Sequence, residues 1–485
     1  MLVAVSLILS LFLSSYSIRS LLFSYIARKE IRQKRLTSYF CKSLDTSVLE
    51  DSNPNKNIIF LNMDMKNSHT SYLQMDSFIT KTKTSGRTNN VYNPFVSILV
   101  ATYNERLVIN RLMTSFAALT YNREEFEIIV VDDSEDNTFD ILKKWEETIP
   151  NLKVIHRSER RGWKGGALNV ALKNINTKSS YVLVVDADSI LVNDTLERFV
   201  SCFSKYNSKG NCTDVIQGYP ISRVFNLNDN NTNWVARAIE FRLAQRNIIE
   251  FLAKDITNLP IQITGSLFMI RSDLIKEVKF SNDLCEDWEL TLDVYFPTNT
   301  ISSYRYGKNI NSCRNIDGKK VIFDPLLISY CEASTKLGSY FRQRMRVSEG
   351  HTRAFKRNLT KIMTSKIMFI DKLEFFFIGA QYSKFIPLLA LIILDYILII
   401  SNEIDFIMKN DLMKITYLVQ IANLLANIGT SLLAIPLCRN IKNYNIVDIF
   451  YLLLLNLCTI PAFVIGSLRG VFRREGIFYK TERNF

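Results

Sequence analysis

Val96-Ser97-Ile98-Leu99-Val100-Ala101-Thr102 is a short run of β-branched and aliphatic residues that ends in the polar stretch Tyr103-Asn104-Glu105. The same grammar returns along the chain that follows. Apolar runs at Glu127–Val131, Lys153–His156 and Tyr181–Val185 alternate with amphipathic stretches at Glu105–Leu119, Thr138–Glu147 and Ala167–Asn174. Strand-length runs alternating with helix-length ones predict an α/β domain with a mainly parallel sheet and helices on both faces. In such sheets ligands bind beyond the C-terminal ends of the strands, so chemistry is sought just after each run.

Outside this region the 485-residue chain carries four long apolar stretches, Leu2–Ala27, Ile378–Ile400, Ile415–Pro436 and Ile446–Leu468. Each approaches the roughly 20 residues that a helix needs to cross a bilayer. The first is followed by Arg28, Lys29, Arg32, Lys34 and Arg35. That flank predicts an uncleaved anchor whose C-terminal side is cytosolic, with an interfacial helix as the alternative because Arg19 interrupts the run. Asp395 lies inside the second stretch, where a carboxylate must face protein, water or the membrane boundary. Four crossings would leave Arg469, Arg473, Arg474, Lys480 and Arg483 outside, against the positive-inside tendency, so one stretch is miscounted, re-entrant or interfacial. The expected organisation is an anchor over 1–27, a polar linker over 28–92, a cytosolic catalytic domain over 93–360, and a transmembrane region with a basic tail over 361–485. The formal charge of +13 fits an anionic membrane surface or an anionic nucleotide. No basic patch is interleaved with aromatics, so no nucleic-acid partner is expected. The eight cysteines show no CxxC pair and read as reduced.

Several clusters fall where the predicted sheet would present them. Thr102-Tyr103-Asn104-Glu105 and Asp132-Asp133-Ser134 follow the first two strands; an Asp there accepts from a base or ribose, and helix capping explains the same letters. Asp186-Ala187-Asp188 follows the run Tyr181–Val185, and two carboxylates at that spacing can hold a hard divalent cation together with a diphosphate. Arg160-Arg161-Gly162-Trp163-Lys164-Gly165-Gly166 combines cations with a glycine turn opening a helix, suited to phosphate although the P-loop spacing is absent. Glu286-Asp287 places adjacent carboxylates before an apolar residue. One of them would take the proton of an attacking hydroxyl, and an exposed acidic helix start is the bland reading. Gly265, in Thr264-Gly265-Ser266, would let an acceptor approach the backbone closely or would simply form a tight turn. Gln343, Arg344 and Arg346 precede the last apolar stretches; their guanidinium groups suit a diphosphate, or anionic lipid.

Taken in order, these elements resemble the family 2 glycosyltransferases, particularly the membrane branch of cellulose, hyaluronan and glucomannan synthases. The resemblance runs from about Val96 to Arg346. It implies a GT-A-type nucleotide-binding domain flanked by transmembrane helices and an inverting transfer from a UDP- or GDP-sugar to a glycan or lipid-linked acceptor, with membrane lipid around the spans. By that resemblance Thr102, Tyr103, Asn104, Glu105 and Asp132 or Asp133 line the nucleoside site. Lys164 and Asn169 match the Lys-Ala-Gly-Ala-Leu-Asn segment, with Gly165 in place of its Ala. Asp186 and Asp188 match the pair that holds the nucleotide-sugar and Mg2+ or Mn2+, Asp287 beside Glu286 matches the catalytic base, and Gln343 and Arg346 match QxxRW. Val347 stands where that motif has Trp, which puts processive synthesis in doubt. A membrane nucleotidyltransferase and a non-catalytic scaffold retaining the fold are the alternatives; release of pyrophosphate would mark the first, and nucleotide-sugar binding without turnover the second.

Overall fold

The computed structural model describes residues 2–32, 93–207, 213–225, 233–296, 321–400, 411–438 and 442–473. The polar segment 33–92 and the basic residues Arg474, Lys480 and Arg483 lie outside the described residues. The strands are β1 (Val96–Thr102), β2 (Phe126–Asp132), β3 (Leu152–His156), β4 (Tyr181–Asp186), β5 (Ile190–Leu191), β6 (Val215–Arg223), β7 (Phe268–Arg271) and β8 (Val321–Glu332). The helices are α1 (Leu2–Arg32), α2 (Ile109–Ala117), α3 (Thr138–Thr148), α4 (Trp163–Lys173), α5 (Thr195–Asn207), α6 (Trp234–Gln245), α7 (Leu252–Ile256), α8 (Ser272–Val278) and α9 (Glu286–Tyr295). They continue with α10 (Leu337–Thr364), α11 (Phe369–Gly379), α12 (Phe385–Ile400), α13 (Asp411–Leu437) and α14 (Ile446–Phe472). The expected end of the catalytic domain at 360 falls inside α10.

The strands form one sheet in the order β3-β2-β1-β4-β7-β6-β8-β5. Its first half is the parallel sheet that the alternation predicts. Its second half is not: β7 runs antiparallel to β4 and to β6, and β5 antiparallel to β8. The expectation of a mainly parallel sheet is therefore corrected to a mixed one. Beyond Asp188 the chain no longer alternates short strands with single crossover helices, and the reversal at β7 needs none. Within β1, β2 and β4 successive residues feed opposite faces. Leu99, Ile129, Val131, Val182 and Val184 join one buried cluster, while Ile98, Val100, Ile128, Val130, Leu183 and Val185 join the other. A period of 2 with both faces covered explains why these runs are continuously apolar. The parallel register also aligns the strand ends: Thr102 stands opposite Asp132, Asp132 opposite His156, and Ala101 opposite Asp186.

Among the described residues three helices are long and apolar enough to cross a membrane: residues Ala4–Ile31, Asp411–Leu437 and Ile446–Phe472. The stretch expected to span at Ile378–Ile400 is interrupted. Helix α11 ends at Gly379, and α12 begins at Phe385 and has 16 residues. Helix α1 is more than an anchor. Its Phe23 and Ala27 are buried in the same cluster as the sheet, and Arg19 donates to Glu250 at 2.8 Å and also to Glu374. Lys254, 1% exposed, pairs with the same two carboxylates, each at 2.8 Å. Two cations and two anions thus close a quartet between α1, the segment Arg246–Phe251 with α7, and α11, with Lys254 and Glu374 buried and Arg19 and Glu250 partly exposed. Between α1 and α13 the contact is polar: Asn423 donates to the Ser10 carbonyl at 3.2 Å and Asn427 to Ser17 Oγ at 3.2 Å. Such amides hold helices together where apolar surface gives no drive to associate.

Helix α14 lies along α10. Arg237 of α6 pairs with Asp448 at its start, Ser348 of α10 donates to the Phe463 carbonyl at 2.9 Å, and Lys356 donates to the Val471 carbonyl at 2.9 Å near its end. Both ends of α14 therefore rest on the same body as the sheet. Gly466 and Gly470 permit the approach, since an added Cβ would lie 2.3 Å from the Met345 carbonyl and 2.5 Å from that of Glu349.

Candidate active site

The centre of the site is Lys164, on the first turn of α4. Its ammonium donates to Asp186 Oδ1 at 2.6 Å and to the Gly265 carbonyl at 2.8 Å, and lies 3.0 Å from Glu286 Oε1. The carboxylates after β4 and at the start of α9 are thus brought to one cation. Burial alone would lower the Lys164 pKa, but Asp186 and Glu286 outweigh it and hold the ammonium above its usual value. Burial pushes Asp186 up in spite of Lys164, with Asp188 adding repulsion. Asp287, next along α9, is pushed up to about 7, first by burial and then by the neighbouring Glu286 carboxylate. A carboxyl tuned to about neutral pH is suited to exchange a proton with a hydroxyl.

Gly265 has φ +72°, and a Cβ there would sit 3.3 Å from Asp287 Oδ2 and 3.4 Å from Lys164 Nζ. The turn is pinned by residues that motif reading passed over. Gln217 accepts from the Thr264 amide at 2.9 Å and donates to the Ser266 carbonyl at 3.1 Å, and Ser266 Oγ accepts from the Asp186 amide at 3.0 Å. A lone Gln inside an apolar strand, 0% exposed, was the available signal for the first.

At the ends of β1 and β2 the two aspartates Asp132 and Asp133 separate. Asp132, 0% exposed, accepts from Thr102 Oγ1 at 2.7 Å and from Ser134 Oγ at 2.6 Å, and His156 Nδ1 lies 3.1 Å from it. Asp133 faces the cavity and takes a two-pronged pair from Arg157, whose Nε donates at 2.6 Å. Arg160 stacks its guanidinium 3.5 Å from the centroid of the Tyr103 ring. Asn104 accepts from the Glu135 amide at 2.8 Å and fastens the two loops together. Asn169 exchanges two hydrogen bonds with the Phe280 backbone and so ties α4 to the loop before α9. Of the expected site residues, Thr102, Tyr103, Glu105, Asp133, Lys164, Asp186, Asp188, Gly265, Glu286, Asp287, Gln343, Arg344 and Arg346 line one cavity; Asn104, Asp132 and Asn169 stand behind it.

The cavity measures about 1320 Å3 and continues from Asp186 to the space among α1, α12, α13 and α14, where Asp395 also lines it. Arg344 and Arg346 both line it: Cys285 acts on both, Glu286 and Arg160 also on Arg346, and Tyr340, Tyr382 and Asp287 also on Arg344. As to a metal, the described residues contain no group of three His, Cys, Asp or Glu placed to hold one. Asp186 and Asp188 offer hard oxygen donors with room in the cavity, which fits Mg2+ or Mn2+ sharing a substrate's phosphate oxygens.

Residues 97–278 match the family described as Glycosyl transferase family 2. The poly(ribitol-phosphate) beta-N-acetylglucosaminyltransferase of Staphylococcus aureus is 35% identical over 113 residues, which cover 23% of this chain and 19% of that protein. A beta-monoglucosyldiacylglycerol synthase of Trichormus variabilis is 39% identical over 114 residues, covering 23% of this chain and 24% of that one. The matches thus span a quarter or less of these relatives' lengths. Among solved structures, a mannosyltransferase from Pyrobaculum calidifontis in complex with GDP-Man and Mn2+ superposes with a TM-score of 0.51 at 17% identity. It covers 83% of this chain and 95% of its own. The fold is therefore GT-A-type, with flanking helices apolar enough to be transmembrane.

Proposed function

We propose that this chain is a membrane-bound, inverting glycosyltransferase that moves a sugar from a UDP- or GDP-sugar to a glycan or lipid-linked acceptor at the cytosolic face. The observation that carries the reading is the convergence on Lys164: it gathers Asp186, Glu286 and the Gly265 turn beside Asp287, at the ends of the parallel strands. Asp287 takes the proton of the acceptor hydroxyl as that oxygen attacks the anomeric carbon, and the bond to the nucleoside diphosphate breaks on the opposite side. Arg160 and Tyr103 receive the base, and Arg346 with Lys164 faces the departing phosphates. A divalent cation at Asp186 and Asp188 would supply charge neutralisation to the leaving diphosphate. The described cavity, running on to the apolar helices, supports an acceptor or product path through them. The lie of α14 supports a topology in which α1, α12 and α13 pass through the bilayer while α14 rests on its surface, keeping the basic tail on the catalytic side.

The test is release of nucleoside diphosphate by the purified protein in detergent or membranes, across UDP- and GDP-sugars, with and without Mn2+, beside Asp287→Asn. Metal-dependent release from one donor, lost in the variant, is expected. Equal release by Asp287→Asn, or release of pyrophosphate, would overturn the assignment.

A further inference from the structure

Apart from the cluster at Lys164, four cations line the cavity: Arg242 of α6, Arg246 of the wide helical turn that follows it, Arg344 of α10, and Lys384 just before α12. None of them forms an ion pair with a carboxylate among the described residues, although the cavity's other carboxylates are largely taken. Asp133 is held by Arg157, Asp186 by Lys164, Glu250 by Arg19 and Lys254, and Glu332 by Arg111. The four lean on aromatic rings instead. Arg242 donates to the Tyr340 hydroxyl at 3.0 Å, Arg344 stands 5.0 Å from the same ring, Arg246 5.4 Å from Phe251, and Lys384 4.3 Å from Tyr16 of α1. The Nε atoms of Arg246 and Arg344 are buried with no hydrogen-bond partner.

Unmade hydrogen bonds on buried guanidinium groups are costly, and four like charges converging on one cavity repel each other. Their joint field is strong enough that Tyr340, which burial alone would push up, is held below the usual phenol pKa by Arg242 and Arg344. An anion resolves all three observations. The donor diphosphate does not account for it, because Arg160 and Lys164 stand with Tyr103 and Asp186 at the strand ends, whereas Arg242 rests on Tyr340 of α10 and Lys384 on Tyr16 of α1. Past the cations α13 gives the cavity a polar side, with Gln420, Asn423 and Asn427, while the opposite side is apolar, with Leu388 and Leu391 of α12 and Leu453 and Ile460 of α14.

Resting on the transferase reading, we infer that Arg242, Arg246, Arg344 and Lys384 form a second anion subsite, which holds the phosphate headgroup of a lipid acceptor while its chain lies along the apolar side made by α12 and α14. Arg246 and Arg344 are close enough to Asp287 to feel its charge, so a headgroup held there presents its acceptor oxygen, the phosphate's own or that of a hydroxyl it carries, on the Asp287 side of the cavity. The acceptor is then a phosphate-bearing lipid and not a neutral one.

The experiment uses the full chain in nanodiscs and compares two pairs of probes by native mass spectrometry: phosphatidic acid against diacylglycerol with the same acyl chains, and a polyprenyl monophosphate against its polyprenol. Inorganic phosphate serves as a headgroup-only competitor, and nucleotide binding is measured by calorimetry in the same samples. At least one phosphate-bearing lipid is expected to be retained at least tenfold better than its neutral partner. That preference is expected to vanish in Arg242→Gln and Lys384→Gln, to return in Arg242→Lys and Lys384→Arg, and to leave nucleoside diphosphate affinity unchanged in all four. Equal retention of both members of both pairs by a protein that still binds nucleotide would overturn the subsite. Displacement by inorganic phosphate at the same concentration as by lipid phosphate would overturn the lipid assignment. Absence of nucleotide binding in the unsubstituted protein would overturn the transferase reading itself, a different outcome in a different measurement.

Discussion

Asp287 and Gly165 show how much a single position carries here. If Asp287 must be ionised to accept a proton, its pKa of about 7 sets the pH response: it is protonated and idle below that value and competent above it. kcat/KM for transfer is expected to rise with pH through about 7 and to level off beyond, since that ratio reports the free enzyme's groups. Asp287→Asn is expected to lower the rate by about 100- to 10,000-fold, the usual share of a general base, and to abolish the pH limb while nucleotide still binds. A pH limb that survives in Asp287→Asn would assign it to another group. Gly165 replaces the Ala of the resembled motif, and the reason is local: an added Cβ would lie 1.8 Å from the Ser281 carbonyl. Backbone cannot yield as a flexible side chain does. Gly165→Ala is therefore expected to cost about 1–3 kcal/mol, read as a lower midpoint in denaturation, and to weaken transfer by shifting the loop that leads into Glu286 and Asp287. An unchanged midpoint would mean that the loop gives way freely.

Among the elements, α1 and α14 depart furthest from their sequence appearance. Helix α1 reads as a plain anchor interrupted by Arg19, yet that arginine joins the quartet with Glu250, Lys254 and Glu374. Removing one member of a buried ionic group strands the others, at a cost of about 3–5 kcal/mol. Glu374→Ala is expected to destabilise the protein by that order and to free α1 from the sheet-bearing body, detectable as new protease cleavage near Arg28 and a lowered unfolding midpoint. Joint replacement of all four by apolar residues of similar volume should be far milder, and a Glu374→Ala protein as stable as its parent would show the quartet to be idle. Helix α14 has the hydropathy of a span, but its two ends touch α6 and α10. Its outward face is apolar, with Phe450, Leu457 and Phe472 exposed. A helix packed lengthwise on a domain and greasy on the other side suits a membrane surface.

For the whole molecule that placement makes a prediction of sidedness. In sealed vesicles with the catalytic domain outward, and in a background without reactive thiols, a cysteine replacing Arg473 is expected to react with an impermeant maleimide together with one replacing Glu159. A cysteine replacing Asp411, at the start of α13, is expected to stay protected until the membrane is opened. Labelling of the 473 position only after opening would make α14 a true span. The sequence by itself determined the strands of the parallel half, the carboxylates at their ends and the apolar stretches. Residue type and a period of two or of a helical turn are properties of neighbouring residues, and burial of whole runs such as Val182–Val185 leaves them no other local form. Nothing local distinguishes Asp132 from Asp133, since adjacent side chains on a strand point opposite ways; His156 and Arg157, from the next strand and just after it, decide which is enclosed and which faces the cavity. The same holds for the mixed half of the sheet, where β7 runs antiparallel to both its neighbours while β6 and β8 run parallel. These were settled only in the tertiary structure, because each depends on which distant segment arrives alongside, and that choice is made by the packing of the whole chain.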